Sequence, residues 1–238
     1  MKHFAGILLL LLVLIPARLL AGESNPTAAP EATVVCGNAR FTVLTDRLVR
    51  MEWAADGRFE DRASLAIVNR NLPVPAFRTE ARGEGVTIRT GKLTLTYKGG
   101  RFAPQNLSVS FKLNGRTVTW HPGDEPKGNL KGTTRTLDGC LGYEKLSHNE
   151  QNLEDGILSR DGWALVDESA RHLLQKDDSD WGEWVTVRPE GDRLDWYLFA
   201  YGHDYIGALG DFTKVAGRIP LPPKYVFGYW WSRYWIYT

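Results

Sequence analysis

The chain lacks most of the local signatures by which catalytic and cofactor-binding sites are recognised. Its 238 residues contain only two cysteines, Cys36 and Cys140. The five histidines (His3, His121, His148, His172 and His203) are scattered, and no Cys/His pairs stand at the intervals of a zinc site. Glycine-rich phosphate loops are absent, and Gly156-Ile157-Leu158-Ser159-Arg160-Asp161-Gly162 does not have the G-x-S-x-G spacing of a nucleophile elbow. Charge of one sign is missing as well: 29 Lys and Arg stand against 28 Asp and Glu, for a net +1. No basic block of the kind that holds nucleic acid occurs. Asp177-Asp178-Ser179-Asp180 has the composition of a calcium loop without the later bidentate glutamate, so it reads as a solvated turn. There is no internal repeat or low-complexity block. These absences give no reason to expect a cofactor, a metal or a nucleic-acid partner.

What is present begins with an export pattern. Lys2 and His3 precede an apolar run from Phe4 to Ile15, and Leu19-Leu20-Ala21 offers a cleavage site with a small residue. That run is short of the ~20 residues needed to cross a bilayer. Residues 1–21 are therefore expected to be a signal peptide, with a periplasmic or secreted product and no membrane contact after its removal. Residues 22–32, GESNPTAAPEA, read as a polar linker. In an exported chain Cys36 and Cys140 either pair or remain buried thiols. Pairing would be worth up to ~4–5 kcal/mol in the chain-entropy model, and spacing alone decides neither outcome.

Residues 33–200 read as short strands and turns. Phe41–Leu44, Leu48–Trp53, Ser64–Val68, Ala76–Ala81, Val86–Arg89, Leu93–Tyr97, Leu107–Leu113 and Thr117–Trp120 come first. Asn114-Gly115 between the last two is a strong two-residue hairpin signal. An irregular stretch, His121 to Gln151, is followed by strand patterns at Gly162–Val166, Trp184–Val187 and Leu194–Phe199. Many short strands with Gly, Asn and Asp punctuation predict an all-β antiparallel sandwich. Residues 201–217 hold one linking helix, His203 to Ala216, with Tyr205, Ala208, Leu209, Phe212, Val215 and Ala216 on one face, Asp204 as N-cap and Gly217 beyond its end.

Residues 218–238 differ in character. Leu221-Pro222-Pro223 is a stiff connector, and after it come Tyr225, Phe227, Tyr229, Trp230, Trp231, Tyr234, Trp235 and Tyr237. An apolar run entered from prolines reads as a strand buried on both faces. The expectation is that a further domain starts here and that the natural chain continues.

Leu221-Pro-Pro-Lys-Tyr-Val-Phe-Gly-Tyr-Trp-Trp-Ser-Arg-Tyr-Trp235 resembles the entry to the catalytic barrel of glycoside hydrolase family 31, which contains α-glucosidases and α-xylosidases. Asn129 to Gly139 (NLKGTTRTLDG), Gly156 to Ser169 and Tyr197 to Pro220 resemble the N-terminal region of bacterial members, in family order. Phe41 to Trp53 with Gly57 to Arg62 resembles their first strands. The resemblance implies a galactose-mutarotase-like β-sandwich followed by the first strand of a truncated (β/α)8 barrel, and an α-glycoside as substrate. Family members are retaining enzymes whose two catalytic aspartates lie on later barrel strands, so the resemblance places no catalytic residue in this chain. For substrate binding it points to Tyr234 with Trp235 at the barrel mouth, and to Asp138 on a sandwich loop that reaches the pocket. Asp155, Asp161, Asp167 and Glu168 are further loop carboxylates that read as turn or solvated residues. The expected activity is that of the N-terminal part of an exported α-glycosidase, inactive by itself. The alternative is a stand-alone carbohydrate-binding or structural sandwich.

Overall fold

The computed structural model describes residues 24–131, 155–176, 183–217 and 223–228. Among these described residues twelve strands run β1 (Thr33–Cys36), β2 (Ala39–Val43), β3 (Leu48–Ala54), β4 (Phe77–Arg82), β5 (Gly85–Thr90), β6 (Leu93–Tyr97), β7 (Leu107–Leu113), β8 (Arg116–Trp120), β9 (Ala164–Asp167), β10 (Leu173–Lys176), β11 (Glu183–Thr186) and β12 (Arg193–Phe199). The α-helix α1 (Tyr205–Ala216) follows. The first sheet has the order β1-β2-β3-β12-β9 and the second β4-β5-β6-β7-β8, with a separate ribbon of β10 and β11. All strand pairs are antiparallel. This is the all-β architecture expected from the sequence. Among the described residues no helix is long and apolar enough to cross a membrane.

Period-2 alternation packs the two sheets face to face. Phe41, Val49, Met51 and Leu198 of the first sheet meet Ile88, Leu95, Tyr97, Val109, Phe111 and Trp120 of the second in one buried cluster. Phe41, Tyr97 and Phe102 form an aromatic triangle with ring centroids 5.3–5.8 Å apart. Between β7 and β8 both turn residues are left-handed, Asn114 at φ 51° and Gly115 at φ 79°. Those angles fit the type I′ hairpin that the Asn-Gly pair favours.

The first sheet is covered on its other face too. Leu48, Tyr197 and Phe199 point away from the sandwich and pack with Ile67, Ala208 and Val215, which brings α1 and the 61–72 segment onto the sheet. Helix α1 starts where expected, Asp204 Oδ1 accepting from the Gly207 amide at 3.0 Å, and ends at Gly217 with φ 80°. Leu209 is 43% exposed, so the buried stripe is narrower than the periodicity suggested.

Two local expectations are corrected. Ser64–Val68 is not a strand. Its Ser64 Oγ accepts from the Ile67 amide at 3.0 Å, which turns the chain and buries Ile67, and only an isolated bridge joins Ser64 to Leu173. At the chain's end, Lys224–Phe227 forms a single 3-10 turn instead of extended chain, with the Val226 amide donating to the Pro223 carbonyl at 2.9 Å. The rest of the expected barrel strand lies outside the described residues. Finally, residues 25–26 of the expected linker are tied down. The amides of Arg70 and Asn71 donate to the Asn25 carbonyl at 2.7 and 3.2 Å, and Arg70 Nη1 donates to the Pro26 carbonyl at 2.9 Å.

Candidate functional site

Asp138, Tyr234 and Trp235 all lie outside the described residues, as do Cys140, residues 1–21 and the acidic turn at 177–180. Cys36 donates its thiol to the Glu84 carbonyl at 3.3 Å, and burial pushes its pKa up, which disfavours the reactive thiolate. The other loop carboxylates have structural partners. Asp155 pairs with Lys131 Nζ. Asp161 Oδ2 accepts from the Gly128 amide at 2.6 Å, and Asp167 Oδ1 from the Ser169 amide at 2.8 Å. Glu168 is fully buried, 3.0 Å from Arg171 Nε. The pair is an ionic contact outside hydrogen-bond geometry; burial raises the Glu168 pKa, while the Ser64 hydroxyl and Arg171 pull it down.

Asp155 and Asp161 belong to a larger arrangement, the stem from which residues 132–154 depart and to which they return. Its outgoing limb is 128–131 and its returning limb 155–161. Backbone bonds close it: the Leu130 amide donates to Leu158 at 2.9 Å and the Arg160 amide to Gly128 at 2.8 Å. Asn129 sits between the limbs, 9% exposed. Its Oδ1 accepts from the Lys131 amide at 2.8 Å and the Gly156 amide at 2.9 Å, while Nδ2 donates to the Gly156 carbonyl at 2.9 Å. Lys131 takes a left-handed φ of 64°, unusual for a side chain of this length. Beside the stem opens a shallow cleft of about 760 Å³ bordered by Val118, Asp124, Glu125, Lys127, Arg160 and Trp163. Sequence reasoning did not single out Asn129. The available signal was its place at the start of the irregular stretch, where Asn side chains commonly bond the backbone two residues on.

The densest charge in the described structure lies elsewhere, on the outer face of the first sheet. Register sets Asp195 of β12 opposite Glu52 of β3, and Tyr197 opposite Arg50. Arg50 grips Asp195 with Nε and Nη2, each at 2.8 Å, and lies 3.1 Å from Glu52. Arg40 grips Glu52 with Nε and Nη2 at 2.6 and 2.9 Å, and Arg188 stands 2.9 Å from Asp195. Burial opposes ionisation of Asp195, but Arg50, Arg188 and Arg70 outweigh it and hold its pKa down at about 2. Glu52 moves the other way, raised by burial and by the Asp195 charge against the pull of Arg50 and Arg40. Burial also raises Tyr197, to about 12.

Two carboxylates converging on one buried arginine could suggest acid–base chemistry, but the geometry denies it. Each carboxylate is occupied by guanidinium donors, and the void beside them measures about 20 Å³, room for a single water. Glycoside hydrolysis needs two carboxyls facing a sugar across the scissile bond. This layer is structural. Among the described residues no cluster of three or more metal-ligating side chains occurs.

No family model matches the chain. A curated relative, α-glucosidase 2 of Bacillus thermoamyloliquefaciens, is 47% identical over 45 residues, which are 19% of this chain and 6% of that protein. A solved GH31 dextranase of Flavobacterium johnsoniae, complexed with glucose, aligns with a TM-score of 0.47 at 14% identity, over 81% of this chain and 27% of its own. The GH31 α-xylosidase of Xanthomonas citri aligns with a TM-score of 0.32 at 16% identity, over 62% of this chain and 19% of its own. This chain therefore spans well under two thirds of the length of these relatives. All three are glycosidases by name, and GH31 is the family that the sequence motifs resemble.

Proposed function

We propose that this chain is the N-terminal region of an exported, retaining α-glycosidase of glycoside hydrolase family 31. In this reading residues 1–21 are removed on export to the periplasm or medium. The sandwich is of the galactose-mutarotase kind, and the segment after residue 228 opens a (β/α)8 barrel whose later strands carry the catalytic aspartates. The sandwich shapes the substrate pocket: Asp138 reaches it from the 132–154 segment, and Tyr234 and Trp235 contact the sugar at the barrel mouth. The substrate is an α-glucoside or α-xyloside.

The observation that carries this reading is the 47% identity over 45 residues with an α-glucosidase. Barrel enzymes build their sites from the C-terminal ends of several strands, so residues 1–238 alone are expected to be inactive.

The test compares two proteins on p-nitrophenyl α-glucoside and α-xyloside: the full-length gene product and the 238-residue chain. Hydrolysis by the former with retention of anomeric configuration, and none by the latter, supports the reading. A full-length product without α-glycosidase activity, or turnover by the short chain, overturns it. Retention of the short chain on an α-glucan affinity gel would favour the binding-module alternative.

A further inference from the structure

We infer that the sandwich carries a saccharide-binding cleft at the end where turns of both sheets meet, bordered by Trp53, Asn38 and Glu84. Every residue of this cleft belongs to the described sandwich, and its binding is independent of the family reading above.

Three connections converge there. The β1–β2 turn brings Gly37 and Asn38, the β4–β5 turn brings Gly83 and Glu84, and the loop after β6 brings Gly99 and Gly100. The four glycines are left-handed, at φ 59°, 58°, 100° and 80°, conformations that residues with a side chain adopt only at a cost. Much of the wall is therefore bare backbone. The space it encloses measures about 520 Å³, within the ~300–1,000 Å³ of small-molecule sites. The turns are held before any ligand arrives. Cys36 Sγ, at the end of β1, donates to the Glu84 carbonyl at 3.3 Å and so ties a turn of the first sheet to one of the second. The Tyr97 hydroxyl donates to the Gly100 carbonyl at 2.5 Å and Asn106 Nδ2 to the Gly99 carbonyl at 2.8 Å. Asn38 Nδ2 donates to the Ala55 carbonyl at 3.0 Å. A site fixed in this way gives up little freedom on binding.

The chemistry of the cleft is one-sided. Among the described residues the Glu84 carboxylate has neither an ion pair nor a hydrogen bond, Asn38 Oδ1 accepts from nothing, and no Lys or Arg borders the space. Glu84 does not trail into solvent: its Oε2 lies 3.6 Å from where a Cβ on Gly99 would stand. The free side-chain oxygens are acceptors, so they select a ligand rich in donors and reject an anion. Trp53 supplies the apolar side. It is half-buried, packs against the core, and has the Arg101 guanidinium 6.0 Å over its ring. An aromatic ring beside oxygen acceptors fits a sugar, whose C–H groups need an apolar surface and whose hydroxyls donate. A cationic ligand is disfavoured, because Arg101 already stands over the ring it would use.

The experiment titrates the 238-residue chain, isotope-labelled at glycine and tryptophan nitrogen, with methyl α-glucoside and with isomaltose. Saturable shifts are expected at the amides of Gly37, Gly83, Gly99 and Gly100 and at the Trp53 indole N–H, which is buried without a partner. A ligand the size of one hexose ring should bind with a dissociation constant of about 1–10 mM. Binding of that strength is read in solution and does not retain the chain on an affinity gel. Glu84→Ala breaks no internal side-chain bond and should weaken binding about tenfold or more. Glu84→Gln keeps an acceptor and should stay within about fivefold of wild type. No shift at these positions up to about 100 mM sugar overturns the inference. So do shifts confined to other residues, equal affinity in wild type and Glu84→Ala, or tighter binding of choline than of either sugar. Absence of glycosidase activity in the full-length product overturns the family reading and leaves this result standing.

Discussion

Asp195→Asn tests the charge layer most directly, because it removes a charge and keeps the shape. Asp195 is 4% exposed and takes two hydrogen bonds from Arg50, with Arg188 alongside. Its pKa is held at about 2 in the folded chain, against about 3.9 in an unfolded one. A difference of nearly two units makes the ionised form worth about 2–3 kcal/mol to folding at neutral pH. Removing one partner of a buried pair also strands the other, which in general raises such losses to about 3–5 kcal/mol. A loss of about 2–4 kcal/mol is therefore expected for the variant, in which asparagine keeps part of the hydrogen bonding, measured by urea unfolding followed by tryptophan fluorescence.

The pH dependence has a definite sign. A carboxyl with a depressed folded pKa stabilises fully above its unfolded pKa and loses that contribution as pH falls through the folded value. The gap between wild type and Asp195→Asn should be constant above about pH 5 and should close between about pH 4 and pH 2. Glu52 and Glu168, both raised chiefly by burial, have the opposite sign. Each favours folding when protonated, and that contribution is lost as pH rises through the raised folded value. Both residues are present in the two proteins, so they largely cancel. The exception is the part of the Glu52 shift that comes from Asp195, which lowers Glu52 slightly in the variant. A gap below about 1 kcal/mol at pH 7, or one unchanged down to pH 2.5, would refute the account of this layer.

Two further perturbations probe separate parts of the fold. Gly85→Ala would place a Cβ 2.0 Å from the Tyr97 carbonyl oxygen and 2.7 Å from Lys98 Cα. Both are backbone atoms, so β5 and β6 must part, at a cost of about 2–3 kcal/mol in the free energy of urea unfolding. Gly83→Ala, with nothing within 4 Å but a φ of +58°, should cost only about 1 kcal/mol, and equal losses at both sites would contradict the geometry. Arg70→Met removes the donors that join the Tyr197 hydroxyl to the carbonyls of Pro26 and Arg62. Loss of about 2–4 kcal/mol is expected, with earlier proteolytic cutting around residues 24–29, and unchanged cutting there would exclude the clamp.

The sandwich could be read from sequence wherever one face of a strand is apolar. Leu93-Thr94-Leu95-Thr96-Tyr97 alternates buried and half-buried in the structure as it does in type, and the helix declared itself through Asp204 and Gly217. The outer face of the first sheet was not readable in this way. Arg50, Glu52 and Asp195 occupy the polar positions of an alternating pattern, which sequence alone assigns to solvent. They are buried because the 58–72 and 187–193 segments fold over them, and their pairing depends on the register of strands far apart in the chain. β1 and β10 went unread because Thr33-Val34-Val35-Cys36 and Leu173-Leu174-Gln175-Lys176 show no apolar–polar alternation. The stem was hidden for a related reason: Asn129 and Gly156 meet only after the chain returns, across a stretch with no pattern.

The place of β12 also orders events in time. Strands β4 to β8 pair only with their sequence neighbours, so the second sheet can zip up from local hairpins as soon as Trp120 has left the ribosome. The first sheet cannot close until β12 slips between β3 and β9, and the Arg50–Asp195 contact spans 145 positions. At about 5–20 residues per second of synthesis, Phe199 emerges roughly 4–16 s after Trp120. Through that interval β3 offers an open edge on a nascent chain, and Arg50 lacks its Asp195 partner. The half-made protein is thus most exposed to mispairing while the irregular stretch is being translated, and high-contact-order closure by β12 is the step on which a chaperone would have most effect.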